Sequence, residues 1–284
     1  MNLIQILSCL ELGLIYSLVA IAVFLSFRII NFADLTVDGS FPLGASVMAI
    51  LLSKGVNIPI SMLAAFLSGM LAGAITGYLN VRYKIMEILA GILTMTALYS
   101  INLRIMGKPN ISLMNNDIIL SEQQGFVIIA STVIIVAISI ILLLKTQIGL
   151  SLRALGQNPK FASSCGINIG RMTILTLSIS NGLVALSGAL FVIMQNFADI
   201  SMGLGTIIIG LASVIIGEKL TSSRSTSILI IAVMAGAILY RFIILTALNL
   251  EFLNLEASDL NLLSTLLLSS IMILPLYFKK LVKK

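Results

Sequence analysis

Four stretches of this chain, Ile58–Val81, Gly125–Leu144, Met172–Ala198 and Leu260–Phe278, contain no charged residue. A helix crosses the hydrocarbon of a bilayer with roughly 20 predominantly apolar residues at 1.5 Å per residue, and each stretch is close to or beyond that length. Gln5–Phe27 carries only Glu11, Ser225–Asn249 only Arg241, and Ile88–Leu103 is a slightly short apolar run. Ser40–Ser53 and Ile200–Gly217 are shorter or Gly-rich. The expectation is an all-α polytopic membrane protein with about 8–10 transmembrane helices, the two weak segments being discontinuous or re-entrant.

Only 10% of the 284 residues are charged, against about a quarter in soluble domains, too few to cover a soluble surface. The net charge of +6 is a matter of placement. Twelve of the seventeen Lys and Arg residues, from Arg82 and Lys84 through Lys145, Arg153, Lys160, Arg171, Lys219 and Arg224 to the terminal lysines, fall in alternate loops. The opposite loops hold Lys54, Arg104 and Lys108. This is the positive-inside pattern. It predicts a cytoplasmic 145–171 loop and C-terminus, and it removes nucleic acid as a partner. The first 22 residues lack Lys and Arg, so Gln5–Phe27 reads as a retained span rather than a signal peptide. The chain has no histidine, and its two cysteines, Cys9 and Cys165, fall in a span and a loop. No disulfide framework, metal site or cofactor is expected, and an intramembrane enzyme is disfavoured.

The tetrapeptide Asn-Phe-Ala-Asp occurs at Asn31–Asp34 and again at Asn196–Asp199. Each copy follows a long apolar span and precedes a short, Gly-containing one. The expectation is one membrane domain over 1–284 with two related halves, about 1–120 and 172–284, joined by a span and loop over 125–171. If every segment crosses, the halves are inverted. Short interrupted helices at matching positions then point to the translocation site, so Asn31, Asp34, Asp38, Asn196 and Asp199 are candidates for the pathway. A competing reading makes Asp38 and Asp199 helix caps or anchors at the membrane interface. Glu11 and Arg241 lie inside spans, where each can hold a partner on another helix, though the sequence gives no pairing. Gly69, Gly73 and Gly77 form a small-residue line that lets helices approach closely and reads as packing.

The longest polar stretch is Lys145–Arg171. Ile148, Leu152 and Leu155 have helical spacing, Asn158-Pro159 marks a turn, and Phe161–Ser164 can form a second short helix before Gly166. On residue pattern alone, the stretch fits a solvated connector as well as a partner-docking element. Gly149–Ala154, Ala162, Gly166–Asn168 and Arg171 together resemble the signature loop of bacterial ABC-importer permeases, in particular the branched-chain amino acid permease family. NFADLTVDGSFPLGA at 31–45, GLASVIIGEKL at 210–220, ILYRFII at 238–244 and SDLNLLST at 258–265 extend the resemblance to nearly the whole chain. They are similar to a subgroup of tryptophan/tyrosine-type or unassigned-substrate importers.

The resemblance implies a multi-pass permease subunit of the bacterial inner membrane, paired with a second permease copy as a homodimer. Its implied partners are a cytoplasmic ABC ATPase subunit, a periplasmic or lipid-anchored solute-binding protein, and membrane lipid. Gly149, Leu152, Arg153, Ala154, Asn158, Ala162 and Gly166 would then belong to the ATPase-coupling element. The chain has no G-x-x-x-x-G-K-[ST] loop to cradle ATP phosphates, which places ATP hydrolysis in a partner and makes this chain a transport subunit for an amino acid or similar solute. The alternative is an ion-coupled secondary transporter that uses the two NFAD sites. A structural or assembly subunit is a weaker third reading.

Overall fold

Lipid offers backbone groups no hydrogen-bond partner, so a chain that crosses it pairs its own N–H and C=O groups along a helix. The computed structural model describes residues 3–113, 122–221 and 225–248, together with Thr265 and Ser269, and it is built this way. α1 (Leu3–Val23) runs on into a π-helical turn, Phe24–Ile29. Then come α2 (Val37–Ser53), α3 (Ile58–Tyr83), α4 (Glu87–Met106), strand β1 (Asn110–Ser112) and α5 (Glu122–Lys145). Two short helices follow, α6 (Gln147–Gln157) and α7 (Pro159–Ser164), before α8 (Ile169–Gln195), strand β2 (Phe197–Asp199), α9 (Thr206–Leu220) and α10 (Thr226–Leu248).

Six helices among the described residues are long and apolar enough to cross a membrane: α1 with its extension, α3, α4, α5, α8 and α10. The two weak apolar segments become the short helices α2 and α9, with 17 and 15 residues. At 1.5 Å per residue these reach only about 25 and 22 Å, less than the roughly 30 Å of hydrocarbon. α9 starts later than its apolar run because Ser201–Gly205 turns first, with Gly205 in the left-handed region. Apart from Thr265 and Ser269, the Leu260–Phe278 span and the 258–265 motif lie outside the described residues, as do Arg224 and the terminal lysines.

α8 is the central helix: 83% of its apolar core is buried, against 28% for α5. Its neighbours approach closely because the contact positions are small. Gly69 of α3 faces Asn181, Gly73 faces Leu177 and Gly77 faces Ile174, so α3 runs antiparallel to α8 along the predicted glycine line. α2 runs parallel to α8, and a Cβ added at Gly44 or Gly188 would fall on the carbonyl of Ala185 or Phe41. α1 packs on α8 through Ser180 and Ser187, whose hydroxyls donate to Ala22 O at 2.9 Å and Ile15 O at 2.8 Å. Gly210 packs α9 on Val19 and Val23 of α1, and Gly217 and Gly236 join α9 to α10. Arg241 of α10 does find a partner on another helix. Its guanidinium lies 4.0 Å from the centroid of the Tyr16 ring on α1, a cation–π contact.

The bundle has two chemically different ends. One gathers α6, α7 and the Arg82–Lys84 turn, and there Arg28 pairs with Glu218 at 2.5 Å. This basic end also carries Lys145, Arg153, Lys160, Arg171 and Lys219. The opposite end holds the β1–β2 pair, antiparallel in the register Asn110↔Asp199, Ile111↔Ala198 and Ser112↔Phe197. Helical periodicity gives no sign of this three-residue pairing, which is a long-range closure between the ends of α4 and α8.

Candidate functional site

The two NFAD copies share a local conformation. Asn31 and Asn196 both have positive φ, 54° and 56°, a region that Asn enters more readily than other non-glycine residues. Each Asn sits just beyond a helix end and turns the chain out of it. Three residues later the aspartate folds back on its own backbone. Asp34 Oδ1 accepts from Thr36 N at 2.9 Å, and Asp199 Oδ1 accepts from Ser201 N at 2.7 Å and also from the Ser201 hydroxyl. The shared unit is therefore a hexapeptide, NFADLT and NFADIS, with a hydroxyl residue in its last place.

Their surroundings differ. Asp34 is 2% exposed. Its Oδ2 accepts from Asn181 Nδ2 of α8 at 2.6 Å, and Asn181 Oδ1 accepts from Ser40 of α2 at 2.7 Å. Beside them, the hydroxyls of Thr36 and Thr76 lie 2.7 Å apart. A buried carboxylate is expensive unless its oxygens are hydrogen-bonded, and this one is bonded to two elements. Asp199 instead lies in β2 at the opposite end, partly open to solvent.

Asp38 does not cap its own helix from outside. It lies in the first turn of α2, and its carboxylate reaches across to α9. Oδ1 accepts from Ile207 N at 2.8 Å and Oδ2 from Gly205 N at 3.2 Å. The starts of the two short helices thus meet at one acidic side chain, which both helix dipoles favour. The approach needs glycine, since a Cβ at Gly203 would fall on the Asp38 carbonyl oxygen and the Pro42 ring. The Thr206 hydroxyl, 1% exposed, has no partner among the described residues.

The basic loop divides the predicted residues into two kinds. Leu152 and Ala162 are buried, and Gly149 packs on the backbone of Leu144. Arg153 donates to Gly149 O, Thr226 Oγ1 and Leu144 O at 3.2–3.5 Å. Ala154 is half-buried on α6. Asn158 caps α7 by accepting from Phe161 N at 3.1 Å, and Gly166 takes a φ of 82° to end it. These seven residues build and hold the loop. Those turned outward are Ile148, Leu150 and Phe161, the last two 61% exposed each. Their spacing alone did not separate them from the packing residues.

The loop rests on the first NFAD copy. Asn31 Nδ2 donates to Gly156 O at 2.8 Å, and a Cβ at Gly156 would fall on the Ile29 carbonyl oxygen. The same NFAD copy is tied to the start of α4, where Ala33 N donates to Glu87 Oε2 at 3.5 Å. Gly156 and Asn181 are the connecting residues that sequence reasoning missed. Asn181 had a visible signal, an amide in the middle of an apolar span; Gly156 had none, because its role lies in a contact 125 residues distant.

The family model for the permease component of branched-chain amino acid transport systems matches residues 5–276. The tyrosine transport system permease protein of Clostridioides difficile is 41% identical over 249 residues, covering 86% of this chain and 83% of that one. The ribose import permease protein RbsC of Haemophilus influenzae is 26% identical over 218 residues, 74% of this chain and 67% of its own. Among solved structures, an inward-facing protein described as a metal-chelate type ABC transporter superposes with a TM-score of 0.56 over 96% of this chain and 86% of its own. At 16% identity that likeness concerns the fold.

Proposed function

Since the chain belongs to the branched-chain amino acid permease family of ABC transporters, we propose that it forms the translocation pathway of an amino acid importer, driven by a separate ATPase. The observation that carries this reading is the seat of α6. The exposed Leu150 and Phe161 offer an apolar surface at the basic end, and Asn31 and Gly156 tie the same helix to the start of the first NFAD copy. A push on α6 by a partner reaches Asp34, Asn181 and Asp38 through packed backbone, in the region where α2 and α9 meet.

In this reading the basic end is cytoplasmic, in keeping with the charge bias, and the protein resides in the bacterial inner membrane. A solute-binding protein delivers cargo at the β1–β2 end, and a second copy of the chain completes the transporter. Asp38, with the α2 and α9 starts around it, is the pathway's midpoint, because paired short helices of this kind bring their positive ends to the transported solute. The tyrosine-transporting relative supports an amino acid as cargo. The family match favours ATP-driven transport over the ion-coupled alternative.

The test is reconstitution in liposomes with and without a candidate partner ABC ATPase. Uptake should require the ATPase and ATP, and Leu150→Ser combined with Phe161→Ser should weaken ATPase binding at least about tenfold, as loss of apolar anchors does. Uptake by the chain alone on an ion gradient would sink the proposal.

A further inference from the structure

At the basic end, the last turn of the α1 extension, one face of α6 and the start of α10 enclose a cavity of about 430 Å³. Arg28, Asn31, Arg153 and Gln157 line its polar side, and Phe24, Ile29 and Leu229 its apolar side. Two guanidinium groups in one cavity repel each other unless negative charge accompanies them. Glu218 pairs with Arg28 through Nε, whereas among the described residues Arg153 is bonded to the uncharged oxygens of Gly149, Thr226 and Leu144. Among the described residues one carboxylate therefore serves two guanidinium groups, and the lining keeps a net positive charge.

The lining decides which anion fits. Phe24 and Leu229 belong to helices long and apolar enough to cross a membrane, so the cavity lies where hydrocarbon gives way to the headgroup layer. Beside it on α10, Ile228 and Ile231 are 47% and 59% exposed. A free inorganic anion would satisfy the arginines and leave the half-buried Leu229 and the exposed Ile228 and Ile231 wet. An amphipathic anion satisfies both. Basic cavities between membrane helices suit acidic lipid headgroups, and the planar guanidinium matches phosphate oxygens. We propose that this cavity binds the phosphate of an anionic phospholipid between Arg28 and Arg153, with the first part of an acyl chain against Leu229 and the exposed Ile228 and Ile231 beside it.

The experiment titrates the delipidated full-length permease, in neutral detergent, with phosphatidylglycerol or phosphatidylcholine of identical acyl chains, and reads bound lipid by native mass spectrometry. Each arginine near an anionic headgroup is worth about fivefold in binding. Phosphatidylglycerol should therefore bind at least about fivefold more tightly than phosphatidylcholine. Arg28→Gln should lower that preference about fivefold, and Glu218→Gln should keep or raise it, because it removes a competing negative charge. Leu229→Asp places a negative charge in the cavity without touching the ion pair and should abolish the preference, which carries the test if Arg28→Gln does not fold. Inorganic phosphate at matched concentration should not displace the lipid. Equal binding of the two lipids, equal losses in Arg28→Gln and Glu218→Gln, or displacement by phosphate would each overturn the proposal. The first leaves no charge recognition, the second only a strut between α1 and α9, and the third a site for small anions.

Discussion

The two NFAD copies have the same sequence, the same left-handed asparagine and the same aspartate turn, yet they lie in opposite kinds of surroundings. The first is enclosed at its aspartate: Asp34 is bonded to α8 and Thr36 stands against Thr76, while the exposed Asn31 holds α6. The second closes a short strand pair at the far end, where water can reach Asp199. A local motif thus fixes a turn, and the tertiary partners decide what the turn connects.

Five substitutions probe that difference by stability, and the largest effect falls on the buried copy. Asp34→Ala leaves Thr36 N and one Asn181 N–H without a partner in a dry interior, and should cost about 3 kcal/mol. Asp199→Ala, with water as a substitute partner, should cost about 0.5–1 kcal/mol. Thermal unfolding in detergent compares the two, and equal losses would dissolve the contrast. Next in size is Gly156→Ala, which drives a methyl into the Ile29 carbonyl and should cost about 1–3 kcal/mol, with α6 displaced. Limited proteolysis of the 145–171 loop should show that displacement as faster cleavage. The smallest pair sharpens the comparison furthest. Asn31→Gly and Asn196→Gly both tolerate the left-handed turn, so only the first loses something, its bond to Gly156. That bond is worth about 1 kcal/mol net, and Asn196→Gly should be near neutral.

Much of the fold was legible because a bilayer leaves few options: the long apolar runs among the described residues became helices, and the two weak runs became α2 and α9. The glycine line Gly69, Gly73, Gly77 correctly signalled close packing, since small residues at four-residue spacing have one main use between membrane helices. The β1–β2 pair was not legible, being three residues long and held by partners 89 residues apart at Asn110 and Asp199. At the candidate site, residue types were easier to read than their directions. Asp38 stood out as an acid beside a weak helix, but nothing local says that its carboxylate serves α9, 167 positions later. Leu152 and Leu150 are likewise two leucines on one short helix, and only packing shows that the first is buried and the second presented.

The contrast between the copies becomes a functional claim once α6 is the element that a partner moves. The most direct measurement reconstitutes the permease with the proposed partner ATPase and records ATP hydrolysis and solute uptake together for Asn31→Gly and Asn196→Gly. With the Asn31 bond to Gly156 gone, hydrolysis should continue while uptake per ATP falls about fivefold, the equivalent of that one hydrogen bond. Asn196→Gly should leave the ratio unchanged. An equal fall in both variants, or none in Asn31→Gly, would contradict the account.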